Sequence, residues 1–425
     1  MAHVERVSVE GFKKIEELTV EPGQFTVVTG RNNSGKTSLL EAIRLGCEPG
    51  SVDQFTHSDL VHSNGTPGRG VEKVFNRQRS ESVVEVKVGD QEGLTRLRPA
   101  PVAQARAAVA QAAANLLESS AGGFEDLIRT LSDHREFEPI REEPEEGIPN
   151  LIADHIPTDS QWVRHGVSVL EVDGESYPIV EDPGTVEKAA GTFIHSLNAE
   201  TGIDLAEKFD VRLSDEPEGE GITTIVPRGL VRRPSLPTEV SPDPRTSTNF
   251  VTHGTTIKPD KEEPIKTDNV GDFLREKEIV DDLKTFTLDD LIFDPEDGEK
   301  YSVPFEQMGE GFRAIVALLW ELLDDDLPEV LFLEEPTTHM HPGYVREVVY
   351  FLIGLAMEED IQLFVTTHSN DFLNDLFNEN LRDDEVAFLE EEFKLFQMQD
   401  GAAKTLEYRE AERSLTELYN DLRGL

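Results

Sequence analysis

Cysteine is nearly missing from this chain: Cys47 is the single one among 425 residues. One thiol excludes an intramolecular disulfide and suits a reducing compartment. Basic residues are also scarce, 40 against 85 acidic ones, for a net charge of -45. That balance excludes nucleic-acid binding through bulk charge, so a local basic patch or shape would have to supply it. Arg228, Arg232 and Arg233 form the best such patch; the plainer reading is that they pair with surrounding surface acid. No apolar run is long enough to span a bilayer. The opening Met1-Ala2-His3-Val4-Glu5-Arg6 has no signal-peptide core. The expectation is a cytoplasmic protein with no membrane partner. The acid is spread along the whole chain, and its self-repulsion opposes compaction in ordinary buffer. Salt shortens that repulsion, from a screening length of about 8 Å at physiological strength to about 3 Å at 1 M. The composition therefore predicts adaptation to a salty, halophilic cytoplasm.

Against these absences stands one dense motif. Gly30-Arg31-Asn32-Asn33-Ser34-Gly35-Lys36-Thr37 fits G-x-x-x-x-G-K-[ST], the P-loop of nucleoside triphosphate enzymes. Phe25-Thr26-Val27-Val28 before it reads as a buried strand, and Leu39, Leu40 and Ile43 after it make a helical apolar stripe. Gly30 and Gly35 permit the bend that turns successive N–H groups inward. The helix that starts near Lys36 and includes Ser38 adds its positive dipole end. Lys36 is expected to reach the β- and γ-phosphates of ATP, and the Thr37 hydroxyl to bind Mg²⁺.

A second apolar strand, Val330-Leu331-Phe332-Leu333-Glu334-Glu335, ends in two carboxylates. At the carboxyl edge of a parallel sheet they would enter the cleft where α/β ligands bind. One can hold the Mg²⁺ shell, and the other can orient and deprotonate the attacking water. In Phe364-Val365-Thr366-Thr367-His368-Ser369, a histidine follows another buried strand. There an imidazole can hydrogen-bond a γ-phosphate, and strand order is expected to bring it beside Glu335. The alternative is a histidine capping the next helix beside Ser369 and Asn370. His339-Met340-His341 has a metal-like spacing but too few further ligands for zinc.

Patterning predicts strands at 4–9, 15–20 and 82–88, and a hairpin at 167–180 turned at Asp173-Gly174. Helices are expected at 102–118, 124–131 and 186–198, an acidic loop at 142–147, and a Pro/Gly/Ser/Thr-rich arm at 216–264. The C-terminal part alternates: helix 312–323, strand 330–333, helix 345–355, strand 361–365, helix 370–376. Closing strands at 386–389 and 393–399 and a last helix at 411–422 follow. This rhythm predicts a parallel sheet.

Four segments taken together carry a family resemblance: the P-loop, Met308-Gly309-Glu310-Gly311-Phe312, Glu334-Glu335-Pro336 and Thr367-His368-Ser369. With the opening Val7-Ser8-Val9-Glu10-Gly11-Phe12-Lys13, they resemble the ABC-class ATPase heads of the SMC, RecF and OLD (overcoming-lysogenisation-defect) group, and most of all the OLD-like AAA family ATPases. The resemblance covers 1–98 and 270–425. It implies an α/β P-loop NTPase of ABC-ATPase type, with a mixed central sheet and an antiparallel N-terminal lobe. Lobes at 1–100 and 268–425 would flank a helical and loop insertion at 101–267.

The resemblance also implies a homodimer with ATP between two heads, and Met308 to Phe312 touching the γ-phosphate on the other subunit. Glu335 would be the catalytic carboxylate, Glu334 the magnesium-shell carboxylate and His368 the switch histidine. Gln78 would be the magnesium-sensing loop glutamine, with Gln54 competing. Two departures stand out. The strand ends Glu334-Glu335 where the family has Asp-Glu, and the longer side chain is expected to slow turnover. The signature keeps little but Gly309 and Gly311. The tail has no D-x-D pattern, so no TOPRIM nuclease is expected within the chain. The implied role is Mg²⁺-dependent ATP hydrolysis coupled to dimerisation, in nucleic-acid surveillance, repair or antiphage defence. A nuclease or toxin effector in trans, and DNA, are the implied partners. The rivals are a nucleotide-gated scaffold, a transporter motor subunit, and a small-molecule kinase, for which no acceptor pocket or lid is evident.

Overall fold

A computed structural model describes residues 3–51, 75–76, 80–118, 128–129, 144–158, 167–180, 183–201, 245–252, 264–277, 279–295, 298–323, 327–338, 340–359, 361–378, 380–417 and 421–422. Gln54, Gln78, Arg228, Arg232, Arg233 and His339 lie outside the described residues, as does most of 124–131 and of 216–264.

Alternating burial makes strands β1 (Val4–Phe12) and β2 (Ile15–Val20). The apolar run of β3 (Phe25–Gly30) is buried throughout and leads into α1 (Lys36–Cys47). Period-two patterning returns in β4 (Ser82–Val88) and β5 (Gln91–Pro99). Alanine-rich α2 (Val102–Glu118), α3 (Pro144–His155), the hairpin β6 (Val167–Val172) and β7 (Glu175–Val180), and α4 (Pro183–Thr201) follow. Next come β8 (Thr248–Thr252), α5 (Pro264–Glu276) and the strands β9 (Leu283–Phe286), β10 (Asp290–Phe293) and β11 (Tyr301–Pro304). The last part holds α6 (Glu310–Leu322), β12 (Val330–Glu334), α7 (Pro342–Glu359), β13 (Gln362–Thr367) and α8 (Asn370–Leu376). It ends with α9 (Asp383–Glu392), β14 (Phe393–Gln399), β15 (Ala402–Glu407) and α10 (Tyr408–Thr416).

Two six-stranded sheets organise the fold. One is antiparallel, β2-β1-β4-β5-β6-β7; the other runs β15-β14-β3-β13-β12-β8 and is parallel except for β15. Because side chains alternate across a strand, the parallel sheet feeds two cores. Val28, Phe332 and Phe364 pack with α1 and the antiparallel sheet. Val27, Leu333 and Val365 pack with α6, α7 and α8. A third core joins α2, α3 and α4 to Val167 and Val169 of β6. The architecture is the mixed α/β P-loop NTPase fold expected from the motifs.

Three local expectations are corrected. Residues 386–389 are helical, within α9. Three acids open that helix, and Glu385 accepts from the Arg382 amide at 2.8 Å and from its Nε at 3.0 Å, so a charged, self-bonded first turn overrides the short apolar pattern. The stretch at 142–147 is not all loop, because α3 starts at Pro144, a residue suited to a first helical position. The last helix starts at Tyr408, ahead of the expected 411. The Asp173-Gly174 turn has φ of 52° and 93°, as a two-residue hairpin turn of the primed type requires.

Candidate functional site

Strands β3, β13 and β12 lie side by side and parallel, with Thr29 opposite Thr367 and Thr366 opposite Glu334. The P-loop, His368 and Glu334-Glu335 therefore leave adjacent strands at one edge of the sheet. The P-loop takes positive φ at Gly30 (145°), Asn33 (65°) and Gly35 (109°). A Cβ at Gly30 would lie 2.5 Å from Met398 O and 2.6 Å from Ser34 Oγ, so only glycine fits. Gly401 N donates to Ser34 O at 3.0 Å, which braces the loop from the β14–β15 turn. Gly401 is itself confined, since its Cβ would lie 2.2 Å from Lys14 O. Sequence reasoning missed this brace; the Asp400-Gly401 dipeptide was its one signal.

Lys36 heads α1 and is buried. Its Nζ donates to Gly30 O at 3.1 Å and Arg31 O at 3.3 Å, and stands 3.8 Å from Glu335 Oε1. The Thr37 hydroxyl donates to the Glu334 carboxylate. Glu335 holds a left-handed φ of 50°, its amide donating to Thr366 O at 3.1 Å. A side chain other than glycine persists there only where its surroundings hold it. The hold is visible: Glu335 Oε2 accepts from His368 N at 3.2 Å and lies 2.6 Å from His368 Nδ1. The cap of α8 is Ser369, whose Oγ accepts from Phe372 N at 3.2 Å. The imidazole therefore does not serve as the cap, and its side chain is 54% exposed beside Glu335.

Met308 and Gly309 lead into α6, with Gly309 at its N-cap. Gly309 and Glu310 are exposed, Gly311 is half-buried, and Phe312 anchors the segment in the core. A Cβ at Gly309 would meet nothing within 4 Å, so packing inside this chain does not demand glycine there. Thr252, not singled out from sequence, stands opposite Glu334 in the register of β8 with β12. His341 Nδ1 accepts from Gly343 N at 3.2 Å at the start of α7. Among the described residues no group of three or more His, Cys, Asp or Glu side chains is arranged to hold a metal. No described helix is long and apolar enough to cross a membrane.

Sequence comparison finds AAA-domain families at both ends of this arrangement. The family described as "AAA domain, putative AbiEii toxin, Type IV TA system" matches 238–374, and one described as "AAA domain" matches 6–138. No curated protein matches the chain. Similar solved structures include the SMC head domain from Thermotoga maritima, with 9% identity and TM-score 0.42, covering 95% of this chain and 98% of that one. An Smc head domain from Pyrococcus furiosus, bound to the C-terminal domain of ScpA, has 12% identity and TM-score 0.39, covering 99% and 100%. The recombination mediator RecF has 14% identity and TM-score 0.30, covering 95% and 98%. The site rests on its own geometry and on the two sequence matches. The match over 6–138 contains the P-loop and the match over 238–374 contains Glu334, Glu335 and His368, so the chain is a P-loop NTPase-fold protein with AAA-domain sequence on both sides of one cleft.

Proposed function

We propose that the chain is a magnesium-dependent ATPase of the ABC class, and the contact between Thr37 and Glu334 is the observation that carries this reading. The site's chemistry fits the ligands. A hydroxyl and a carboxylate in contact are a hard-oxygen pair suited to magnesium. The glycine-lined loop with buried Lys36, and a buried Ser34 Oγ without a partner, suit a phosphate. Thr37 and Glu334 would hold magnesium, which when bound supplies neutralisation of phosphate charge. Lys36 counters charge on the β- and γ-phosphates. Glu335 orients water and takes its proton, while His368 fixes the Glu335 carboxylate.

The exposed Gly309 supports action in trans: the N-terminal end of α6 presents amides and a positive dipole to a second copy. A homodimer bridged by ATP follows, with Gln78 as the magnesium-sensing glutamine. The toxin wording of the family matched over 238–374 supports a defence role; a cytoplasmic setting and a separate effector complete the proposal. DNA surveillance or repair is the neighbouring reading. A second reading, a slow nucleotide-gated scaffold, is favoured by Glu334 itself, whose longer arm already reaches Thr37.

Phosphate release by wild type and Glu335→Gln, in magnesium and high salt, tests the enzyme reading. Turnover in wild type and its loss in Glu335→Gln, with ATP still bound, supports hydrolysis. ATP bound by both with no release from either supports the scaffold.

A further inference from the structure

Arg245 lies outside every motif, yet its bonds join the end of the P-loop helix to β5 and to the β6–β7 hairpin. Its side chain is 7% exposed. Its amide donates to Cys47 O at 2.8 Å, and its guanidinium donates to Gly46 O. These are the last two carbonyls of the helix that begins at Lys36, a helix end that favours a cation and needs donors. The same guanidinium donates to Thr95 Oγ1 at 2.9 Å and Leu94 O at 3.3 Å on β5. It also grips both carboxylate oxygens of Asp173 at 3.1 Å each, at the tip of the β6–β7 hairpin.

The next residues run straight to the carboxylate strand. Thr246 Oγ1 donates to Glu329 Oε2 at 2.5 Å, and Glu329 N donates to Ser247 Oγ at 3.0 Å. Val330 N donates to Ser247 O at 3.1 Å, while Thr248 N reaches back to Glu48 Oε1 at 3.0 Å. From there β8 follows β12 residue by residue until Thr252 stands opposite Glu334. A single short segment is thus bonded at one end to the foot of the P-loop helix and at the other to the strand bearing Glu334. Gly93 adds an independent observation: a Cβ there would lie 1.8 Å from Arg245 Nε, so β5 keeps a gap through which the guanidinium passes.

We propose that Arg245 is a positioning residue that sets the spacing of the P-loop helix against the carboxylate strand. Through Asp173 it ties that spacing to the hairpin beneath helices α2, α3 and α4. This rests on the nucleotide-site reading above. A load on the helical region would pull on Asp173, and the fork of Arg245 passes it to both halves of the site. Lysine cannot replace it, because one ammonium cannot serve Gly46 O, Leu94 O, Thr95 Oγ1 and both carboxylate oxygens of Asp173 together.

The test compares wild type, Arg245→Lys, Asp173→Ala and Gly93→Ala as full chains. ATP affinity, kcat and KM are measured in high salt, with amide hydrogen exchange across α1 and β12. Arg245→Lys is expected to lower kcat about tenfold to a hundredfold, as small misplacements of reacting groups do, with ATP affinity within about twofold. Asp173→Ala, at an exposed turn position whose left-handed φ of 52° strains alanine only locally, should lower kcat in the same sense but less. Exchange should quicken at the end of α1 and along β12 in both variants, and in Gly93→Ala. Unchanged kcat and unchanged exchange in Arg245→Lys overturn the proposal. A proportional loss of ATP affinity and kcat also overturns it, since that is general unfolding. Wild type that takes up no ATP refutes the nucleotide-site reading, and the exchange data then still decide whether Arg245 couples the two elements.

Discussion

Thr37 and Glu334 are 297 positions apart in the chain and share a hydrogen bond, hydroxyl to carboxylate. The pair is the point at which the P-loop and the acidic strand become one site.

Replacing Lys36 should weaken ATP binding without unfolding the chain. Its ammonium is held beside Glu335 and under the loop carbonyls, ready to exchange these for phosphate oxygens. A charge-assisted hydrogen bond contributes about 1.5–3 kcal/mol, so Lys36→Ala should raise the ATP dissociation constant roughly tenfold to a hundredfold. Titration with a fluorescent ATP analogue in high salt reads this directly, and unchanged affinity would remove Lys36 from the site.

His368 is expected to act on rate more than on binding. It holds Glu335 Oε2 through both its amide and its ring, and only the ring is lost in His368→Ala. A freed carboxylate should orient water poorly and cut kcat by up to about a hundredfold, with KM little moved. A matching rise in KM would assign His368 to substrate binding alone.

The sheet beneath the site should be intolerant of cavities. Phe332 and Phe364, on neighbouring strands, are fully buried with ring centroids 5.3 Å apart. Phe364→Ala should cost about 3–5 kcal/mol in a urea titration. The same titration in rising potassium chloride should show stability increasing, because salt screens a net charge of -45. Stability that falls with salt would contradict the halophilic reading.

Cys47 should be silent at neutral pH. Burial pushes its thiol up to about 12, with Arg245 opposing in part. At pH 8 only about one native thiol in ten thousand is then ionised, given a pKa of about 12. A thiol reagent should react slowly with native protein and at once in urea. A folded value above the unfolded one of about 8.5 means that this contribution to stability is whole below that pH. It is lost as pH rises toward about 12. Fast native labelling at pH 8 would show that α1 opens.

The sequence made some of this legible and hid the rest for physical reasons. The P-loop could be read because Gly30, Gly35 and Lys36 are local in the chain and their chemistry depends on spacing. The hairpin at Asp173-Gly174 and the helix at 370–376 likewise follow from adjacent residues. Residues 386–389, Val-Ala-Phe-Leu, form a short apolar run that fits a buried strand as well as a helix, and only the acidic first turn with its Arg382–Glu385 bonds decides for the helix. Gly401, Thr252 and Arg245 were invisible because their roles come only from long-range pairing. Nothing beside Arg245 in the chain hints at Gly46 or Asp173, 199 and 72 positions away.

The most direct test of the account is equilibrium binding of ATP, with and without magnesium, to wild type, Thr37→Ala and Glu334→Gln in high salt. One ATP per chain, tightened by magnesium in wild type and indifferent to it in both variants, is the expected result. ATP that fails to bind wild type, or a magnesium effect that survives loss of both Thr37 and Glu334, would contradict it.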